Sequence, residues 1–189
     1  MPYITKDKAI TVNGHTWWVN SRGTGLLRKP LERMIEQVGA MLSIYSKVHL
    51  LRFDLRTYSY SETNQLMTKF NRIFHRWITR TYGIKNNRIG FIWCREIETA
   101  KQQHYHYVLI LDGHSVRHPI RLLDKAQDIW NNQLNGSEFT PKNCYYNLKR
   151  DEYNTIQPAI YRISYLAKVR GKGYKPKQTK NYNTSRLKI

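Results

Sequence analysis

The sequence is short of several things, and each absence narrows what the protein does. Acidic residues are scarce: 13 Asp and Glu stand against 32 Lys and Arg, a formal net charge of +19. An excess this large attracts phosphate without sequence preference, so nucleic acid is the leading expected partner. Cysteine is almost missing, with only Cys94 and Cys144, so neither a disulfide scaffold nor a cysteine-based zinc site is expected. Long apolar runs are missing as well. Stretches such as Val108 to Leu111 fall far below the ~20 residues that cross a bilayer. The opening MPYITKDKAITVNG lacks the basic-then-apolar layout of a secretory leader, which predicts an intracellular protein with no membrane partner. No Gly-x-x-x-x-Gly-Lys-Ser/Thr phosphate loop occurs, so any duplex unwinding is expected to need a partner helicase.

What is present is enough for a core. The 189 residues fit one domain, and 40% are apolar and 13% aromatic, with 14 Tyr and 5 Trp. That is too rich in core formers for a disordered basic tail. The charge is uneven: from Tyr153 onward there are nine Lys or Arg and no Asp or Glu. The stretch from Gly171 reads as a flexible basic extension, either solvated or acting as a phosphate-binding arm.

The hydrophobic pattern mixes helix and strand. Ile10 to Val19 alternates around Asn13-Gly14, which predicts a small hairpin with a type I′ turn. Pro30 to about Ile44 repeats at helical spacing, with proline in the first turn. Val48 to Tyr58 alternates as a strand. A helix is expected from Ser61-Glu62-Thr63-Asn64 to Tyr82-Gly83, with Leu66, Phe70, Ile73, Phe74 and Trp77 on one face. Arg88 to Glu98 and Gln103 to Leu111 should pair as a hairpin. A helix over Ile120 to Leu134, a strand near Cys144 to Leu148 and a helix from about Pro158 to Val169 complete the set. The order predicts an α+β fold, a central antiparallel sheet with helices on one face.

Two constellations carry potential chemistry. His104-Tyr105-His106 lies on a strand, where alternate residues share a face, so both imidazoles point the same way. Such a pair suits a divalent metal, although histidines at a surface or half-buried would look the same. The preceding strand carries Glu96 and Glu98, and one carboxylate beside two imidazoles would complete a three-donor site with open positions. Spacing does not separate these acids from solvated hairpin-end charges, since they have the same parity. The second constellation is Tyr161, Tyr165 and Lys168 at i, i+4 and i+7, one stripe of the basic last helix. Two packed core tyrosines would read the same, but a tyrosine can also attack phosphorus and form a covalent intermediate.

Together these residues resemble the HUH endonucleases, the metal-dependent nickases of rolling-circle initiators, relaxases and some transposases. The resemblance rests on His104-Tyr105-His106, on Glu96 upstream, and on Tyr161-x-x-x-Tyr165-x-x-Lys168 late in the chain. With Leu51-Arg52-Phe53-Asp54-Leu55 ahead of a long helix, the layout is most similar to inovirus-type initiators of filamentous phages and prophages. It covers roughly Val48 to Ser185. The resemblance implies that His104, His106 and Glu96 bind Mg²⁺ or Mn²⁺. It implies that Tyr165, or Tyr161, attacks the scissile phosphate with help from Lys168. Ser164 stands where a lysine three residues after Tyr161 would be expected, which favours Tyr165. Arg162, Arg170, Lys172 and Lys175 are the expected DNA contacts. The implied fold is a ferredoxin-like sheet of about five strands. It divides into an N-terminal hairpin and helix over 1–45, a nuclease core over 46–170 and a basic extension over 171–189. The implied function is nicking of a single-stranded or extruded origin through a 5′-phosphotyrosine, in a bacterial host cytoplasm, with host helicase and polymerase as partners. A transposase, a mobilisation relaxase and a non-catalytic nucleic-acid binder are the alternatives.

Overall fold

The computed structural model describes residues 3–97, 103–172 and 176–188. The fold is α+β, as expected, and it is built on a six-stranded antiparallel sheet. Its central strand is β5 (Lys47–Thr57), flanked on one side by β7 (Gln103–Asp112). Beyond β7 come β6 (Gly90–Ile97) and then the short β10 (Tyr182–Thr184). On the other side β5 is shared between β8 (Gly136–Phe139) and β9 (Tyr145–Lys149).

Helices cover both faces of this sheet, not one. Both parities of the central strands are apolar, which a sheet with one wet face would not show. Val48, Leu50, Ile92, Val108 and Ile110 pack with α1 (Arg28–Ile44) and α4 (Tyr153–Ser164). Leu51, Phe53, Trp93, Tyr105, Tyr107 and Leu109 pack with α2 (Gln65–Tyr82) and α3 (Ile120–Gln127). A pair Ile4–Thr5 and Leu26–Leu27, here β1 and β4, ties the chain start to the front of α1.

The predicted hairpin is present as β2 (Ala9–Val12) and β3 (His15–Trp18). Asn13 and Gly14 sit at φ 48° and 79°, the left-handed pair that a type I′ turn requires. Its Ile10, Val12 and Trp17 join the α1–α4 core, so the hairpin shares that core with the sheet. Helix boundaries moved where side chains compete with the backbone. Helix α2 begins at Gln65, because Ser61 Oγ and the Thr63 backbone close a local turn ahead of it. It ends as expected at Gly83, φ 69°, whose N–H bonds the Thr79 carbonyl. The helix expected to reach Leu134 is regular only to Gln127 and continues as a wide π turn over Asp128–Gln133. That turn buries Trp130, whose indole N–H bonds the Arg56 carbonyl at 2.7 Å. Helix α4 starts at Tyr153 and carries Pro158 inside it. It stops at Ser164, and Tyr165–Ala167 follow as a tighter 3₁₀ turn.

The C-terminal stretch is fastened to the core wherever it is described, contrary to the extension expected over 171–189. Strand β10 pairs with β6, and Ser185 N–H bonds the Phe91 carbonyl at 2.8 Å. Buried Gln37 of α1 clamps the same segment: its Oε1 accepts from Ser185 Oγ at 2.7 Å and from Leu187 N–H at 3.2 Å. Its Nε2 donates to the Leu187 carbonyl at 3.1 Å. Gln37→Ala strands the half-buried Leu187 N–H and carbonyl, while Ser185 Oγ keeps Phe91, and the loss costs up to about 1–3 kcal/mol per stranded group. Chemical denaturation should show that loss, and limited proteolysis should show the C-terminal segment cut first.

Candidate metal centre

The sheet register assembles the site. Residues directly opposite on antiparallel strands point to the same face. Glu96 faces His104 and Cys94 faces His106 across β6–β7, while Asp54 faces His106 across β5–β7. Three adjacent strands thus direct Asp54, Glu96, His104 and His106 toward the α4 side of the sheet. Glu96 Oε2 lies 3.3 Å from His106 Nε2 and 3.7 Å from His104 Nε2. One donor atom from each of these three residues falls within 4.8 Å of the others, a spacing that a single metal ion can bridge. Side-chain exposure is 4% for Glu96, 7% for His106 and 18% for His104, so His104 is the most accessible of the three donors. Glu98, the other candidate acid, lies outside the described residues.

The partners around the three donors fit a cation. His106 Nδ1 lies 2.6 Å from Asp54 Oδ1. A carboxylate can only accept, so Nδ1 carries a proton toward Asp54, and Nε2 is the atom that faces Glu96 and His104. Burial disfavours the His106 imidazolium, but hydrogen bonds to Asp54 and Glu96 outweigh it and hold the pKa above its ordinary value. Burial likewise opposes ionisation of Glu96, yet His104, His106 and Lys172 together keep its carboxyl well below the usual carboxylate range. Asp54 is also held low, by His106 and Arg52 against its own burial. Cys94 is different: burial pushes its thiol up to about 12, so it stays protonated at neutral pH. Two imidazoles and one carboxylate, with a fixed tautomer and a carboxylate behind one imidazole, suit a borderline divalent ion. Asp54→Asn keeps the shape but removes the charge behind His106. It should weaken Mn²⁺ affinity about 10- to 100-fold, read by calorimetric titration of the folded variant.

Tyr165 stands directly over this cluster. Its ring lies 5.6 Å from the His106 ring, edge-on at 76°. The Arg52 guanidinium and the Lys168 ammonium each sit 5.4 Å from its centroid. The Lys168 ammonium is also held at 2.8 Å on the Arg22 carbonyl. Tyr161 is 41% exposed and lines, with Asn20, Tyr146, Arg162 and Tyr165, a cleft that backs onto Tyr165. The single stripe expected for Tyr161, Tyr165 and Lys168 is broken, because the α-helix ends between the two tyrosines. Arg162 bonds the Lys142 carbonyl at 2.9 Å and Arg170 is exposed. Lys175 lies outside the described residues.

Lys172 is not a surface contact. It is 7% exposed, and its ammonium lies 2.8 Å from Glu96 Oε1. Gly171, at φ 74°, turns the chain back over β6, and its carbonyl accepts the Ile97 N–H at 2.9 Å. A side chain there would press on Glu96, since a Cβ would lie 3.3 Å from the Glu96 Cβ. The lysine therefore neutralises one oxygen of Glu96 while the other faces the histidines. Arg52 and Asp54 were not singled out as site residues from the sequence. The available signal was two charged residues in the middle of the apolar run Leu50–Leu55, where a central strand would bury them.

The family model described as the YagK/YfjJ C-terminal domain matches residues 11–185. No curated protein and no solved structure matches the chain.

Proposed function

This chain belongs to the YagK/YfjJ C-terminal domain family, and we propose that it is a metal-dependent, site-specific single-strand DNA endonuclease and strand transferase of the HUH type that initiates rolling-circle replication. One observation carries the reading: the Tyr165 ring lies 5.6 Å from a histidine of the Glu96–His104–His106 cluster. A phenol beside two imidazoles and a carboxylate can support phosphoryl transfer through a covalent tyrosine, with the three donors holding a metal and the phenol as nucleophile. Mg²⁺ or Mn²⁺ held by those three residues would supply Lewis-acid polarisation of the scissile phosphate.

The chain's own residues perform the rest. The Tyr165 oxygen attacks phosphorus, and the bond from phosphorus to the 3′ oxygen breaks. The proton lost by the phenol ends on that 3′ oxygen, giving a free 3′-OH and a 5′-phosphotyrosine. One phosphate ester replaces another, so the link stores the bond for rejoining. Arg52 and Lys168 place positive charge beside the reacting ring, which favours negative charge developing there. Asp54 keeps the His106 proton on Nδ1, and Lys172 limits the charge on Glu96. The 3′-OH would prime a polymerase, with a host helicase opening the duplex.

The test is a labelled single-stranded oligonucleotide library incubated with the protein and Mn²⁺. A radiolabelled protein band that survives denaturation, and disappears in EDTA, is expected. A mobility shift with no covalent band would instead identify a nucleic-acid binder.

A further inference from the structure

A second feature near the metal centre is a long basic groove at the sheet edge, where β10 and the residues around it face α1. Its volume is 970 Å³, and no acidic side chain among the described residues lines it. Lys29 and Arg33 of α1 form one wall, and Lys180, Arg186 and Lys188 project from the other. All five are exposed. Arg33 shares its charge with Glu36 at 3.0 Å. Lys29, Lys180, Arg186 and Lys188 make no ion pair among the described residues. Four uncompensated cations along one groove repel one another, and a polyanion laid between them relieves that repulsion.

The groove also holds aromatic surface. Tyr3, 65% exposed, and Tyr182 of β10 both line it. Cations that track a backbone, interleaved with rings on which bases stack, are the combination that binds single strands. A duplex, whose bases are already stacked, has no use for the rings.

The walls are fixed rather than loose, and they are joined to the metal centre. The buried Gln37 clamp holds Ser185 and Leu187 against α1. At the other end the Asn64 amide donates to the Lys180 carbonyl at 2.9 Å, and Thr179 Oγ1 donates to the Glu62 carbonyl at 2.6 Å. Asn181 belongs to both regions. It lines the groove, its carbonyl accepts the N–H of Arg95 at 2.7 Å, and its amide donates to the Lys172 carbonyl at 2.6 Å. Arg95 precedes Glu96 and Lys172 pairs with it, so the groove ends where the cluster begins.

We propose that this groove, running from Asn181 along β10 to the start of α1, is a sequence-independent track for single-stranded DNA continuing from the metal centre. The proposal rests on the transferase reading for the identity of the strand. Its phosphates lie on Lys29, Lys180, Arg186 and Lys188, and its bases stack on Tyr3 and Tyr182. The track carries strand that has left the site without reading its sequence.

The test separates this track from the chemistry. Full-length protein in EDTA is titrated with labelled oligothymidine of roughly 20 nucleotides, longer than the ~4–16 that one single-strand-binding module covers. The titration is repeated across a range of salt for the wild type, for Lys29→Ala/Lys180→Ala/Arg186→Ala, and for Lys69→Ala/Arg72→Ala/Arg76→Ala on exposed α2 positions. Each lost phosphate contact lowers the slope of log affinity on log salt by about 0.7 for a single strand. The groove variant should therefore lose about 2 from its slope, equally on oligothymidine and a mixed sequence. The α2 variant, with the same change in net charge, should keep the wild-type slope. Equal slopes in the wild type and the groove variant would overturn the track, as would a loss confined to duplex DNA or to one sequence. The two readings fail separately. A reduced slope without any nicking by the wild type removes the transferase alone, and nicking with an unchanged slope removes the track alone.

Discussion

Tyr165→Phe is expected to abolish the covalent protein–DNA adduct while DNA binding persists. The substitution removes one oxygen and keeps the ring that packs edge-on to His106 and beneath Arg52. The ring packing is retained, and the charge that attracts phosphate is untouched. Deleting the nucleophile of a covalent mechanism costs up to ~10⁶-fold in rate, so nicking should fall below detection. Quench-flow or gel assays with an end-labelled oligonucleotide in Mn²⁺ measure this directly, and anisotropy in EDTA measures the retained binding. Tyr161→Phe should still form the adduct, because it is the Tyr165 ring that packs on His106, while Tyr161 lies exposed in the cleft that both tyrosines line. An adduct that persists in Tyr165→Phe and vanishes only in Tyr161→Phe would move the nucleophile one helical turn back.

The second large effect is expected at His106. His106→Ala removes one of three donors and the group that links Asp54 to the cluster. Mn²⁺ affinity should drop by more than the ~10- to 100-fold typical of losing an outer partner, and nicking should be lost with it. The variant should still fold, since each stranded carboxylate keeps a cation. Asp54 has Arg52 at 3.5 Å, and Glu96 has Lys172 at 2.8 Å. Salt-sensitive DNA binding should also survive, because none of the groove cations is touched. In the wild type, metal must displace the Nε2 proton of His106, because the two carboxylate neighbours hold the imidazolium's pKa above the ordinary value of about 6.5. Affinity should therefore rise with pH by about one log unit per pH unit below that pKa, and level off above it. Calorimetry across that range checks the sign; an affinity that falls as pH rises would show that His106 is not a ligand. Unchanged nicking in His106→Ala, or in EDTA, would remove metal from the reaction.

How much of this was legible in the sequence depends on the distance over which each signal acts. Local patterns were readable. Asn13-Gly14 forces a turn by its own backbone preference, Gly83 ends α2 for the same reason, and His104 and His106 share a face because any strand alternates. That the two strands pair as a hairpin was readable, but that Glu96 is the acid opposite His104 was not, since Glu96 and Glu98 have the same parity. Longer-range facts were hidden. Asp54 reaches His106 only because β5 lies next to β7, an adjacency that no spacing within β5 reveals. The two-faced cover of the sheet was missed although Leu50–Leu55 carries apolar residues of both parities. Pro158 was read as a helix start, but its missing N–H is tolerated inside α4. Lys172 illustrates the limit most clearly. Composition placed it in a basic tail facing solvent, whereas a left-handed Gly171 folds it inward onto Glu96. The basic charge itself was legible, but its arrangement along β10 and α1 was not, since Lys29 and Lys180 are distant in sequence.

The most direct measurement is to locate the nucleotide on the protein. Wild-type chain is incubated with Mn²⁺ and a cleavable single-stranded library, digested with protease and nuclease, and sequenced by tandem mass spectrometry. A nucleotide phosphate on the peptide containing Tyr165, absent when EDTA is added, is the expected result. No modified peptide, or one that forms equally well without metal, would contradict a metal-dependent tyrosine transferase.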